Sequence, residues 1–254
     1  MTVQHEGDIL KINGKDGANR AHEQPGRFEE TREAAGRMQQ WLKRLLRLTV
    51  GLFIYAVGLV LIIQANIGLA SWDAFAIGLS LVTNASYGQM SILTGVVILI
   101  VVVALKEKIG LGTLLNTLFI GFFADLLLQS GWIKQMQTMA SGVAMLLVGQ
   151  VVVCVASYLY MSTGWGLGPR DSLMVALGKR LDKVPIGAVR TAIEGTVLLI
   201  GWQLGAKVGV GTVIAVLSIG IVMEIIFRLL HFDVKAVEHE HIWQTLGHWG
   251  QARL

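Results

Sequence analysis

Hydrophobic runs of about 20 residues alternate with short polar breaks over most of the chain, and run length decides what each can be. Six of them, 48–67, 86–105, 111–131, 141–162, 186–204 and 210–230, have the length an α-helix needs to cross about 30 Å of hydrocarbon. Two shorter stretches, 72–82 and 170–181, reach only about 16–18 Å as helices, so neither crosses by itself. The pattern predicts an all-α integral membrane protein with six transmembrane helices and two short helices between them.

The same series is written twice. Gly51 matches Gly149, Gly68 matches Gly166, Leu69 matches Leu167 and Asp73 matches Asp171, all 98 residues apart. After one inserted residue the interval is 99: Gly88 matches Gly187, "GLGT" at 110–113 matches "GVGT" at 209–212, Gly121 matches Gly220, and Asp125 matches Glu224. One register held through so many glycines marks an internal repeat. Each copy holds three full spans, an odd number, so the second enters from the opposite side. The expected architecture is therefore two inverted three-helix repeats, 48–132 and 141–231, each with a short re-entrant or broken helix.

Basic residues orient this arrangement, because cytoplasmic loops carry an excess of lysine and arginine. Lys43, Arg44 and Arg47 precede the first run, Lys106 and Lys108 follow the second, and Arg170, Lys179, Arg180 and Lys183 follow the fourth. Arg228 and Lys235 close the sixth. With six spans and both termini cytoplasmic, all of these fall inside, while the outer segments hold Lys134 and Lys207. Counting the short helices as spans would put Lys106, Lys108 and Arg170 outside.

Composition agrees: 54% of residues are hydrophobic and 15% charged, against about 25% charged in soluble domains. The net charge of +4 lies beside the runs and serves orientation, so no nucleic-acid partner is expected; membrane lipid is. No cleavable signal segment is expected. Residues 1–27 are polar and broken by glycine and proline, and read as disordered. Residues 28–47 carry acids early and bases late, and read as a basic amphipathic juxtamembrane helix or a plain basic stop. Residues 232–254 form a polar tail whose His239, His241 and His248 are a weak metal signal and a better solvated segment. Cys154, in an apolar run, is the one cysteine of the sequence, so no intrachain disulfide forms. No nucleophile–base or metal-ligand arrangement is legible in the runs, so no enzyme, metal or cofactor is expected.

The chemistry concentrates in the repeated polar stretches, "GLASWDAF" at 68–75 and "GLGPRDSL" at 166–173. Gly68, Gly166 and Gly168 suit backbone breaks; Ser71 can cap the first short helix, and Pro169 suits the first turn of the second. Asp73 and Asp171 then fall in the first turns, where they either complement the helix dipoles or mark an ion or proton path. Arg170 replaces Trp72 at the matching position and reads as an anion contact or an inner-side anchor. Arg190 and Glu194, four apart, form a local lock or part of a gate. Asp125 and Glu224 read as interfacial or capping residues, and Gln64, Asn66, Asn116 and Gln150 as interhelical hydrogen-bonding groups.

Over residues 45–231, with "ANIGLASWDAFAIGLS", "IGLGTLLNTLFIGFFAD", "GWGLGPRDSLMVALGKR" and "VGVGTVIAVLSIG", the chain resembles the YczE branch of the YczE/YyaS/YitT bacterial membrane proteins. The resemblance implies a bacterial inner-membrane protein with several spans and without a cofactor, and it supplies no substrate. The repeat itself points to a small secondary transporter carrying a small ion or polar solute through a midplane site. Asp73 and Asp171 would couple a cation or proton, with Ser71, Trp72 and Arg170 beside them and Arg190 and Glu194 in gating. The alternative is a non-transporting accessory or scaffold that supports another enzyme or assembly. A homodimer is compatible with either.

Overall fold

Each apolar run becomes a helix whose ends are set by local chemistry. A computed structural model describes residues 24–107, 109–181 and 184–232 together with 237 and 242. By its contacts the chain divides into two compact units, Arg44–Leu246 and Met1–Lys43 with Gly247–Leu254; the packing below belongs to the first. Among the described residues there are eight helices: α1 (Gln24–Gln64), α2 (Ser71–Thr83), α3 (Tyr87–Ala104), α4 (Leu111–Ser130), α5 (Met139–Met161), α6 (Pro169–Gly178), α7 (Ile186–Gln203) and α8 (Val210–Leu229). The described residues contain no strand. The histidines at 239, 241 and 248, Lys183 and most of the N-terminal stretch lie outside them.

Five helices are long and apolar enough to cross a membrane: Ala35–Gln64 within α1, then α3, α4, α5 and α8. The segment expected as a further span, 186–204, folds as the helix α7, with 18 residues, but Arg190 and Glu194 make it less apolar and it is not one of the five. α1 begins at Gln24, inside the stretch read as disordered, and runs unbroken through the juxtamembrane segment into the first span. Ser86 and Gln89 form a reciprocal cap at the start of α3, and Thr138 accepts the Ser141 N–H at the start of α5. Such side chains satisfy amides that a helix end leaves free.

α1 and α5 pack at glycines. A Cβ on Gly58 would lie 2.8 Å from the Gly149 carbonyl, and one on Gly149 would lie 2.8 Å from the Gly58 carbonyl. Gly51 faces Tyr160, and Gly142 faces Ala65. Contacts that ascend α1 descend α5, so these helices run antiparallel. Small residues let backbones approach this closely where lipid offers no hydrophobic driving force.

The breaks after α1 and α5 have the same backbone. Asn66 and Gly68 take φ of 58° and 132°; Gly164 and Gly166, 98 residues on, take 72° and 124°. Gly68 and Gly166 adopt conformations that a side chain would resist. Gly168 does not: its φ of −60° is ordinary, so the expectation of an unusual dihedral there is corrected. The breaks are also tied crosswise. Gly211 N–H at the start of α8 donates to Ile67 O at 2.8 Å, and Gly112 N–H at the start of α4 donates to Trp165 O at 2.7 Å. Irregular backbone is tolerated at membrane depth only where protein supplies partners of this kind.

Loops gather into two groups. In one, Gln64 Nε2 donates to Ile133 O at 3.0 Å, Asn66 Nδ2 to Met136 O at 3.2 Å, Lys207 Nζ to Asn66 Oδ1, and Leu69 N–H to Lys207 O at 3.1 Å. In the other, Lys179 pairs with Glu107 at 2.7 Å and Arg180 donates to Leu105 O.

The two halves differ at their last helix pair. A Cβ on Gly88 would run into Gly121 O, and one on Gly95 would lie 2.5 Å from Thr117 Cγ2, so α3 and α4 are in close contact. Asp125 of α4 accepts the Gly88 N–H at 2.7 Å and the Ser86 hydroxyl, which makes it a cap for α3. In the second half nothing lies within 4 Å of a Cβ on Gly187 or Gly220. Glu224 instead pairs with Arg228 one turn on, at 2.7 Å on an exposed face.

Candidate functional site

The two repeated polar stretches meet. α2 begins at Ser71 with Asp73 in its first turn; α6 begins at Pro169 with Asp171 in its first turn. The expected cap by Ser71 is corrected. Ala70 occupies the N-cap without a side-chain hydrogen bond, because the helix starts one residue earlier than a serine cap requires, which leaves Ser71 as its first helical residue, 4% exposed. Pro169 does occupy the first turn, where its missing N–H costs nothing.

Arg170 reaches across to the other half. Its guanidinium lies 3.9 Å from Asp73 Oδ1 and over the Trp72 ring, 5.2 Å from the centroid. Trp72 and Arg170 are matching positions of the repeat, so a residue stacks on its own counterpart. Planar, weakly hydrated guanidinium suits both contacts. Asp73 is 5% exposed and also accepts the Tyr87 hydroxyl at 3.0 Å. A buried carboxyl group with a hydroxyl and a guanidinium beside it has the polar partners that such a site calls for.

Two adjoining cavities open around this contact. One, about 130 Å³, is bordered by Ser71, Trp72, Asp73, Gln150, Arg170 and Glu194. The other, about 150 Å³, is bordered by Tyr55, Trp72, Tyr160, Arg170, Asp171 and Arg190. Both have Arg190 and Glu194 on one wall, where the arginine Nε donates to the carboxylate at 2.9 Å. A third cavity of about 70 Å³ lies on the other side, lined by Ser91, Gly95, Asn116, Gly168, Arg170 and Asp171. Arg170 borders all three. A site of this size accepts an ion or a small polar solute, and charged groups inside an apolar wall supply orientation.

Every charged or aromatic residue singled out in the repeated stretches, and the Arg190–Glu194 pair, thus borders one connected region. Gly68 and Gly166 set the breaks that lead to it. Of the uncharged polar residues, Gln150 bonds between helices as expected, donating to Ala215 O at 3.1 Å and accepting from Ser218 at 2.7 Å. Gln64 and Asn66 tie down a loop instead, and Asn116 faces the smallest cavity. Asp125 caps a helix and Glu224 is exposed. Cys154 is free and fully buried.

Sequence reasoning passed over Tyr55, Tyr87 and Tyr160. Tyr87 stands 14 residues beyond Asp73, with no spacing that announces a contact. The signal for the other two was present: Tyr55 matches Val153 and Ile62 matches Tyr160 at the interval of 98, and all four border the cavities.

The family model described as "Family of unknown function (DUF6198)" matches residues 42–228. The chain is 33% identical over 197 residues to an uncharacterized protein of Haemophilus influenzae, covering 76% of this chain and 89% of that one. It is 30% identical over 175 residues to the uncharacterized membrane protein YczE of Bacillus subtilis, covering 68% and 80%. A third relative, the uncharacterized protein YyaS of Bacillus subtilis, is 26% identical over 193 residues, covering 73% and 94%. No solved structure matches.

Proposed function

This chain is a membrane protein of the DUF6198 family, and from that premise we propose that it is a small secondary transporter built from two inverted repeats of three spans. The solute is a small ion or polar molecule held at the Arg170 region. The observation that carries the proposal is the convergence of two matching chain breaks, one from each half, on a charged cavity where Arg170 of one half faces Trp72 and Asp73 of the other. Transporters with inverted repeats place discontinuous helices and their solute site in this relation.

The antiparallel run of α1 against α5, which are matching helices, supports inversion. The loop groups support six crossings with Lys134 and Lys207 outside and Lys106, Lys179 and Arg180 inside. Each short helix ends among the loops from which its break began: Leu81 of α2 lies near Gly205, and Lys179 after α6 pairs with Glu107. That favours re-entrant segments over halves of a broken span. In this reading the protein sits in the inner membrane with both termini cytoplasmic.

Charge bookkeeping divides the two aspartates. Arg170 faces Asp73, and Arg190 holds Glu194, which leaves Asp171 as the carboxylate on which a cation or proton would be exchanged. The test is purified protein in liposomes under an imposed proton gradient, with currents recorded for a panel of inorganic ions and small polar solutes. A solute-dependent current that disappears in Asp171→Asn while the protein stays folded supports the proposal. No current for any solute, together with one stoichiometric copurifying protein, would replace it with the scaffold reading.

A further inference from the structure

The first half closes its last two helices on glycine and the second half does not, although the glycines are there. Gly88 and Gly121 bring α3 and α4 together, and Gly187 and Gly220 are their matches 99 residues on. In the conformation described, no contact at Gly187 or Gly220 needs the missing side chain. A glycine inside a helix destabilises it by about 1 kcal/mol relative to alanine, so two idle glycines at matched positions call for a use. Glu224 tells the same story: its match, Asp125, caps the amide of Gly88, while Glu224 pairs within its own helix, away from Gly187.

We infer that α7 and α8 are a gate, and that a second conformation exists in which they close on Gly187 and Gly220, with Glu224 accepting the Gly187 N–H, while α3 and α4 part at Gly88 and Gly121. The inference rests on the inverted-repeat reading but not on solute movement. In an inverted repeat, exchanging the conformations of the halves moves the opening from one side of the central site to the other. The unsealed pair borders the two larger cavities through Arg190, Glu194, Val216 and Ile219, and the sealed pair borders the smallest through Ser91, Gly95 and Thr117. The described state is thus the one open on the α7–α8 side.

The gates are not equivalent. Where Gly95 admits Thr117, α7 carries Glu194 opposite Val216; where α3 has Ser91, α7 has Arg190. Closing α7 onto α8 takes the Glu194 carboxylate out of water, which is tolerable only while Arg190 stays paired with it. Arg190 acts as the latch of this gate, and its loss keeps the gate open for as long as the Glu194 carboxylate is there to be stranded.

Cross-linking tests this. With the sole cysteine removed by Cys154→Ala, the pair Gly95→Cys and Thr117→Cys reports the first gate, since a Cβ on residue 95 would lie 3.5 Å from Thr117 Cβ, within disulfide reach. Glu194→Cys with Val216→Cys reports the second, in an Arg190→Ser background so that no charge is stranded. The expected result is that both disulfides form within one molecule and that locking either lowers formation of the other. Adding Gly220→Val, which meets nothing in the state described, should leave the melting temperature unchanged and cut the 194–216 disulfide by about tenfold.

A 194–216 disulfide that never forms while 95–117 goes to completion overturns the inference, as does one that links two molecules. Should the multiple variant not fold, Val216→Cys alone carries the test: its maleimide labelling must rise when Gly220→Val is added, and an unchanged rate overturns the gate. Both disulfides forming in a protein that moves no solute would uphold the gate and remove the transport reading.

Discussion

Asp73 and Asp171 occupy matching places in the repeat yet have different surroundings, so the same substitution should act differently on each. Asparagine at position 73 removes the charge that faces Arg170 and weakens the acceptor of the Tyr87 hydroxyl, which leaves a guanidinium less compensated beside an apolar wall. Losing one partner of a buried polar contact costs about 1–3 kcal/mol, and a drop in the melting temperature of the purified Asp73→Asn protein checks this. Asp171→Asn breaks no direct hydrogen bond or close ion pair, its charge neighbours Arg190 and Arg170 each having another carboxylate beside them, and should melt close to the parent, so any loss of solute-dependent current in that variant is a loss of chemistry. Arg190 and Glu194 are about half and a quarter exposed as side chains. Such an i, i+4 pair contributes about 0.3–0.5 kcal/mol, and Arg190→Gln is expected to leave thermal stability nearly unchanged while altering gating.

At the level of elements, glycine decides which helices touch. Gly88→Ala would drive a Cβ into the Gly121 carbonyl. Overpacking against backbone costs about 1–3 kcal/mol, and α3 would also lose the geometry by which Asp125 caps it. Gly187→Ala meets nothing and gains helix propensity of up to about 1 kcal/mol, so it should melt at or above the parent temperature. Parallel thermal melts of the two variants measure the difference between the halves directly. Equal destabilisation would mean that α7 and α8 are packed like α3 and α4 in the protein as purified. The short helices follow another rule. Their first turns carry the acids, their preceding breaks take left-handed backbone, and the Ile67 and Trp165 carbonyls of the breaks accept from the starts of α8 and α4.

For the whole molecule, the claim at risk is sidedness. The loop group around Asn66, Ile133 and Lys207 and the group around Glu107 and Lys179 belong to opposite faces in the six-span reading. Single cysteines at 134 and 207 should label from one side of sealed vesicles, and cysteines at 107 and 179 from the other, with Cys154 replaced in each case. Labelling of 134 and 179 from the same side would break the inverted arrangement and with it the proposed transport cycle.

Helix number, most helix boundaries and the residue order used twice were legible in the sequence because each follows from local patterning, run length against bilayer thickness and glycine against helix propensity; the start of α1 at Gln24 was not. Also legible were the charges that border the cavities, since charges inside apolar segments are few and costly, and Asp73, Arg170, Asp171, Arg190 and Glu194 nearly exhaust them. Partner choice was not legible. That Arg170 faces Asp73 across the repeat rather than its neighbour Asp171, that Tyr87 donates to Asp73, and that Ser71 starts a helix instead of capping it all depend on where two distant breaks meet. The same holds for the open α7–α8 pair: identical glycines at 88 and 187 predict identical packing from sequence. Only the folded chain, in which helix positions answer to every neighbour at once, distinguishes a closed seam from an open one.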